Sequence, residues 1–292
     1  GWRKMGEPHS QSIANSQRFV AQKLHVKDMD PVLDLGCGIG GPLRGIVRAT
    51  GANVTGITIN KHQVVRAQEI NAQLTPYMQK RCNHVVMDYT DLSALPADSY
   101  AAAFYMESSL HVENRTKTFA ETYRLLKPGG RLVAMEYVTK KDWDPNNPEH
   151  VELMRLHLHG NGAARTPNVD EALAMMTKAG FVVDEHYDFM EVGKELYGDD
   201  EFPWWGDLLE GNHHGYIASL LPAHPWVRRV LPYILNVLVK VGLIPKDVPM
   251  AAELMNMGGD GLAGLGRVNA ITPQYYVLGV KPNPVRSAEG SA

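Results

Sequence analysis

The spacing of apolar and polar positions switches repeatedly between residues 10 and 140. Ile13, Phe19 and Val20 give Ser10–Leu24 a helical, amphipathic spacing. Pro31–Leu35 is instead a short apolar run suited to a buried strand, and it leads straight into Gly36-Cys-Gly-Ile-Gly-Gly41. Helical character resumes over Pro42–Thr50, where Pro42 is tolerated in the first turn. The exchange continues with a β-rich run at Asn53–Ile59, a helix over His62–Leu74 and strands at Asn83–Met87 and Tyr100–Met106. A helix over Arg115–Leu126 and a strand over Arg131–Val138 follow, with Lys127-Pro-Gly-Gly130 as helix stop and tight turn. Strands alternating with helices predict an α/β fold of Rossmann-like type: a parallel sheet with helices on both faces.

Beyond about residue 140 the texture changes. Lys140–Pro148 reads as a polar loop, Val169–Ala179 as a helix and Phe181–Phe189 as a further strand. Residues 198–249, rich in Trp, Pro, His and Gly, look like a lid rather than more sheet, and Ala251–Gly264 and Tyr275–Val280 read as a helix and a last strand. The expected organisation is a helical segment over 1–30, a Rossmann-like cofactor domain over 31–140, a region over 141–282 that completes the sheet and carries the lid, and a disordered polar tail over 283–292.

Composition narrows the partners. Of the 292 residues, 44% are hydrophobic and 21% charged, ordinary values for a globular chain with a buried core. A net charge of −3 offers no clustered positive footprint, so nucleic acid is not expected as partner. Two cysteines, Cys37 and Cys82, cannot build a disulfide framework, which points to a reducing, intracellular setting. The longest apolar run without charge, Val230–Val239 between Arg229 and Lys240, is far shorter than the roughly 20 residues of a membrane span. The Leu220–Leu243 region is read either as amphipathic helix touching a membrane or as the wall of a hydrophobic pocket. His213-His214 and His157-x-His159 lack the spacing of a zinc site, and no metal is expected.

The strongest chemical signal is Asp34-x-Gly36-x-Gly38-x-Gly40, between a strand and a helix. Glycines let the backbone turn sharply and approach a ligand, and the following helix start offers free N–H groups to a carboxylate or phosphate. The same residues fit a dinucleotide fingerprint. That site expects an acidic ribose ligand at the end of the second strand, where this chain has Ile57-Thr-Ile-Asn60. Asp34 inside the loop, Asp88-Tyr89 after the third strand and the Lys127-Pro-Gly-Gly130 turn favour S-adenosyl-L-methionine (SAM) over a nicotinamide nucleotide. In that reading Asn60 and Gln63 replace the missing acid, their amide oxygens accepting from ribose hydroxyls. Asp88 sits by the adenine amino group with Tyr89 beside the ring; a turn-forming role is the alternative for Asp88.

Several segments then resemble one family. Gly6-Glu-Pro-His-Ser-Gln-Ser-Ile-Ala14 is similar to the GESF-x-x-SIA segment of sterol C-24 methyltransferases, and Asp34–Pro42 (DLGCGIGGP) to their DVGCGVGGP. Tyr105–Val112 (YMESSLHV) parallels their AIEATCHA segment at Glu107 and His111, and Asn147-Pro-Glu-His150 and Gly160-Asn-Gly162 recur in order. Phe202-Pro-Trp-Trp205 with Leu209-Glu-Gly211 resembles PWYYPLEG, and Ile271–Tyr276 with Lys281-Pro282 resembles the FTP-x-x-FF…KP ending. The resemblance runs from about residue 6 to 282. The family's aromatic YEYGWG segment lies upstream of GESF, where this sequence has only Trp2, and ESSLH replaces EATCH.

The resemblance implies a class I SAM-dependent methyltransferase with a lipid-binding lid that alkylates the Δ24 alkene of a sterol side chain, followed by hydride shift and proton loss. Such chemistry needs alignment, π faces or carboxylates for the cation, exclusion of water and a proton acceptor. Glu107 and Glu136 are the candidates for stabilising positive charge, and His111 for base or orienter. Tyr137, Trp204, Trp205 and Glu210 are the candidates for the sterol. A capping or salt-bridge role is the alternative for each glutamate, and core packing for the tryptophans. Peripheral contact with a sterol-containing, endoplasmic-reticulum-type membrane and self-assembly are compatible with this reading. The other functions in view are C-methylation of another prenyl lipid (a tocopherol, quinone or linear triterpene), a non-catalytic lipid-binding relative and, least favoured, a nicotinamide oxidoreductase.

Overall fold

The structure, a computed structural model, describes residues 2–209 and 225–284. Glu210 and the His213-His214 pair lie outside the described residues, as does the tail from residue 285. Seven strands form one sheet: β1 (Pro31–Leu35), β2 (Asn53–Thr58), β3 (Cys82–Val86), β4 (Tyr100–Met106), β5 (Leu126–Thr139), β6 (Val182–Asp188) and β7 (Ile271–Val280), in the order β3-β2-β1-β4-β5-β7-β6. Strands β1 to β5 pair in parallel, as their alternation with helices predicts. The parallel pattern ends at β7, which lies antiparallel between β5 and β6. Its direction follows from the path of the chain. The residues leading into it, Leu265 and Ala270, pack with Leu110 and Tyr137 at the carboxyl ends of β4 and β5, so β7 starts from that edge and runs backwards through the sheet.

The sheet is covered on both faces. Helices α1 (His9–Leu24) and α2 (Gly41–Thr50) bury Val20, Leu24, Leu43 and Ile46 against Val32, Val54 and Phe104. On the opposite face α5 (Arg115–Leu125) and α7 (Val169–Lys178) pack Phe119, Leu125 and Met176 on Leu33, Tyr105 and Val277. Between these lie α3 (Lys61–Asn71), started by the Asn60 side chain, and the single turn α4 (Pro76–Gln79). Asn114 caps α5, and Asn168 with Glu171 forms a capping box on α7.

The lid half contains α6 (Pro148–Asn161), α8 (Phe189–Tyr197), α9 (Gly206–Leu209), α10 (Pro225–Lys240) and α11 (Val248–Arg267). The pattern of apolar positions does not announce α6, and α11 extends past both ends of the helix expected over Ala251–Gly264. Five glycines in α11 would each cost a free-standing helix about 1 kcal/mol. Three of them make room for α6: a Cβ on Gly261 would lie 2.3 Å from the His157 nitrogen, one on Gly264 2.4 Å from Leu153, and Gly258 already lies 2.1 Å from where a Cβ on Gly160 would stand. Backbone meets backbone at Gly160–Gly258 and Gly261–His157, and the Leu153 side chain fills the face of Gly264. A cluster of Leu110, Tyr137, Met154, Leu265 and Ile271 then fastens the helix pair to the carboxyl ends of β4 and β5.

Candidate active site

The carboxyl end of β1 turns on three glycines held at positive φ, Gly36 at 92°, Gly38 at 54° and Gly40 at 80°. At Gly36 space is also decisive, since a Cβ would lie 2.4 Å from that of Ser108. At Gly38 a Cβ would meet nothing within 4 Å, so this glycine faces open space. Gly36 and Cys37 donate their N–H groups to Ile57 O at 3.0 Å, tying the loop to β2. The start of α2 has Gly40 at its cap and no side-chain acceptor, which leaves its first N–H groups for an anion.

In front of this loop opens a cavity of about 450 Å3. Eight of the residues expected at the site line it: Gly36, Gly38, Asn60, Gln63, Asp88, Tyr89, Glu107 and His111. Thr58, Ser108 and Val112 join them without having been anticipated. Asn60 and Gln63 are arranged differently from the expectation. The Asn60 amide oxygen accepts from the N–H groups of His62 and Gln63, and the Gln63 oxygen accepts from the Thr58 hydroxyl at 2.7 Å. Helix capping fills both acceptor positions of the Asn60 oxygen, while the Gln63 oxygen keeps one, and each side chain also has an NH2 donor. Asp88 takes the turn-forming role given as its alternative and also lines the cavity. One oxygen accepts from the Thr90 N–H and hydroxyl, holding the turn, while the residue stays exposed at the cavity. The Tyr89 hydroxyl donates to Ser108 O at 2.8 Å, and burial pushes its pKa up to about 12.

Asp34 and Gly40 stand behind this wall. Asp34 is 2% exposed, has one carboxylate oxygen without a hydrogen-bond partner, and is pushed by burial up to a pKa of about 8. Gly40 backs onto His84 and Arg44: a Cβ there would lie 2.2 Å from His84 Nε2.

The opposite wall comes from the segment after β4, Glu107, Ser108, His111 and Val112, and β5 and β7 hold Glu107 from behind. Glu107 holds a left-handed backbone, φ 55°, uncommon for a residue with a side chain. Its N–H donates to Met135 O at 2.8 Å. Each carboxylate oxygen takes one hydrogen bond, from the Tyr137 hydroxyl at 2.8 Å and from Gln274 Nε2 at 2.7 Å. Gln274 is in turn fixed by the Ser16 hydroxyl, which donates to its oxygen at 3.0 Å. Tyr137, read from the sequence as a substrate contact, spends its hydroxyl on Glu107. Among the described residues no cation pairs with Glu107, so its charge stands unneutralised at the cavity wall. His111, on the same loop, has Nδ1 3.0 Å from Gly162 O. A carbonyl only accepts, so Nδ1 carries the proton, and Nε2 is the ring nitrogen left to face a reacting group.

Glu136 does not join them. Adjacent strand residues face opposite ways, and Glu136 turns from the cavity into the core, 6% exposed. One oxygen accepts from the N–H groups of Ser108 and Ser109 at 3.1 and 2.9 Å, while the other has no partner. Burial pushes its pKa up, against the pull of Arg115 and those two N–H groups. Its geometry supports a positioning role, holding the loop that presents Glu107, in place of the direct contact with a cation expected from the sequence.

The tryptophans also stand apart from the cavity. Trp204 and Trp205 line a separate space of about 180 Å3 that contains Lys140, Asp188, Glu191 and Glu201, a charged surrounding unlike the apolar cover expected. Lys140 bridges Asp188 and Glu191 at 3.0 and 2.8 Å. A lid cavity of about 700 Å3 lies among α6, α9, α10 and α11, lined by Leu153, Leu156, Leu208, Pro232, Tyr233 and Met257 with Arg228 and Asp260. Gln274 escaped the sequence reading, although its signal was there: a polar residue inside the apolar strand Ile271–Val280, where buried polarity demands a partner.

Comparison with known proteins follows this division of the chain. Residues 33–134 match the family described as methyltransferase domain, and residues 219–283 the family described as sterol methyltransferase C-terminal. Sterol 24-C-methyltransferase erg-4 of Neurospora crassa is 30% identical over 281 residues, spanning 95% of this chain and 72% of that protein. Cycloartenol-C-24-methyltransferase of Arabidopsis thaliana is 30% identical over 277 residues, 95% of this chain and 79% of that protein. Among solved structures, the cyclopropane synthase MmaA2 from Mycobacterium tuberculosis superposes with a TM-score of 0.68 at 16% identity, covering 95% of this chain and 87% of its own, a likeness of fold.

Proposed function

The chain belongs to the sterol 24-C-methyltransferase family, and on that premise we propose that it transfers the methyl group of SAM to C-24 of a sterol side-chain alkene. The residues present suit SAM. The cavity falls within the usual 300–1,000 Å3 of ligand sites. The face of Gly38 is open, and the start of α2 lacks a side-chain cap. The bound cofactor would supply an electrophilic methyl group on a positively charged sulfur. Gly36, Gly38 and the first turn of α2 would hold its carboxylate end, Asn60 and Gln63 would donate to the ribose, and Asp88 and Tyr89 would frame the adenine. Asp34, buried and short of a partner, is suited to a nearby ammonium.

The observation that carries the reading is the Glu107 carboxylate in the wall of this cavity, fixed by Tyr137 and Gln274 with no counter-cation among the described residues. A carboxylate held in place before reaction stabilises developing positive charge without reorganising. With SAM bound, a C–C bond would form from the alkene to the methyl group as the methyl–sulfur bond broke and S-adenosylhomocysteine left, and such a charge would remain on the neighbouring sterol carbon. His111, through Nε2, is the group suited to take the proton released when the product alkene forms. The sterol itself is assigned to the lid half, where the family match at residues 219–283 includes α10, α11 and β7. Incubation with labelled SAM and a panel of Δ24 sterols and non-sterol prenyl lipids, followed by mass spectrometry, tests the proposal. A methylated sterol is expected; methylation confined to the non-sterol lipids would overturn it.

A further inference from the structure

Helix α10 is apolar on two opposite sides. Leu231, Leu235 and Val239 are half-buried. Val230, Tyr233, Ile234, Val237, Val241 and Leu243, on and just after the helix, are 41%, 75%, 51%, 58%, 62% and 71% exposed. The spacing of Val230, Ile234, Val237 and Val241 puts them along one stripe of the cylinder, with Tyr233 at its edge beside the lid cavity. Scattered exposed apolar residues need no explanation, but a continuous stripe marks a surface that meets something. The charges within this segment all have one sign, and the exposed Asp247 follows directly after it. From Pro225 to Lys246 the sequence contains Arg228, Arg229, Lys240 and Lys246 and neither Asp nor Glu. Arg228 turns inward to Asp260, Arg229 is exposed at the rim of the lid cavity that Glu149 and Glu253 also line, and Lys240 and Lys246 are exposed.

From this combination we infer that the outward face of α10 docks on an anionic lipid surface, its apolar stripe entering the head-group boundary and Arg229, Lys240 and Lys246 meeting lipid phosphates. An apolar stripe with basic flanks is the pattern of a helix lying in a membrane interface, and each such cation is worth about a fivefold gain in binding. Two copies of the chain pairing through this face would bring like charges together with no carboxylate from the same segment to offset them. No helix among the described residues is long and apolar enough to cross a membrane, so the contact is peripheral. The inference goes beyond the methyl-transfer reading and does not depend on which lipid is methylated.

The test is co-sedimentation of the protein with phosphatidylcholine vesicles, with and without about one-quarter phosphatidylserine. Binding is expected to the anionic vesicles and to weaken with added salt. Ile234→Glu with Val237→Glu should abolish it. Lys240→Gln with Lys246→Gln should weaken it about thirtyfold, with S-adenosylhomocysteine affinity unchanged in both variants. Vesicle binding unaltered by either pair of substitutions would overturn the inference. So would a lipid-free dimer, seen by sedimentation velocity, that Ile234→Glu with Val237→Glu dissociates, since the face would then belong to a second copy.

Discussion

Replacing Asp34 with asparagine should change how stability depends on pH. Asp34 is buried in β1, and burial raises its pKa from 3.8 to about 8. Between about pH 5 and pH 7 the unfolded chain has released this proton while the folded protein retains it. Folding therefore takes up a proton, and the stability associated with this group is full below the unfolded pKa and lost as pH rises towards the folded one. One proton corresponds to about 1.4 kcal/mol per pH unit, so over those two units the wild type should lose roughly 2.7 kcal/mol relative to Asp34→Asn. Urea unfolding of both proteins, followed by circular dichroism at a series of pH values, measures the difference directly. Parallel stability curves across the window would show that Asp34 ionises freely and that the argument from burial is wrong. The same linkage predicts ligand behaviour: S-adenosylhomocysteine, which brings an ammonium group, should bind the wild type more tightly as pH rises from 5 to 7, a dependence absent from the variant.

Other outcomes follow from the opposite wall. Glu107→Gln keeps the size of the side chain but removes its charge, so turnover should fall by about a hundredfold or more while thermal unfolding shifts little; an unimpaired kcat excludes Glu107 from charge stabilisation. Gln274→Leu releases one carboxylate oxygen, and kcat should drop about tenfold with S-adenosylhomocysteine affinity intact; a matching loss in cofactor binding would mean a general disturbance. Gly261→Ala drives a methyl group into the α6 backbone and should cost about 2–3 kcal/mol, read as a lowered unfolding temperature, and an unchanged temperature would show the two helices to be less tightly joined.

Physical signals differ in how far they reach along a sequence. The strand over Tyr100–Met106 and the glycine loop were legible because both are local: a short apolar run, and a turn that needs positive φ at Gly36, Gly38 and Gly40. The eight expected residues that line the cavity came from the same local logic, strand ends at the carboxyl edge of an α/β sheet. What escaped depends on partners far away in sequence. The α6 helix is specified by glycines about 100 positions later. The direction of β7 follows from where the lid leaves the chain, and Gln274 acquires its meaning from Glu107, 167 positions earlier. Glu136 was misjudged for a local reason, since the alternation that puts Tyr137 beside Glu107 turns its neighbour the other way.

The glycine seam between α6 and α11 has a mechanical corollary. Helices that touch through side chains can slip by exchanging rotamers, but two whose backbones abut have nothing soft between them and travel as a single plank. Any yielding in the lid is thereby displaced to α10, which Arg228 fastens to Leu208 O, Asn256 and Asp260. Those few polar clasps can be undone and remade without disturbing the plank beneath, so a bulky guest entering among the helices would meet its resistance there.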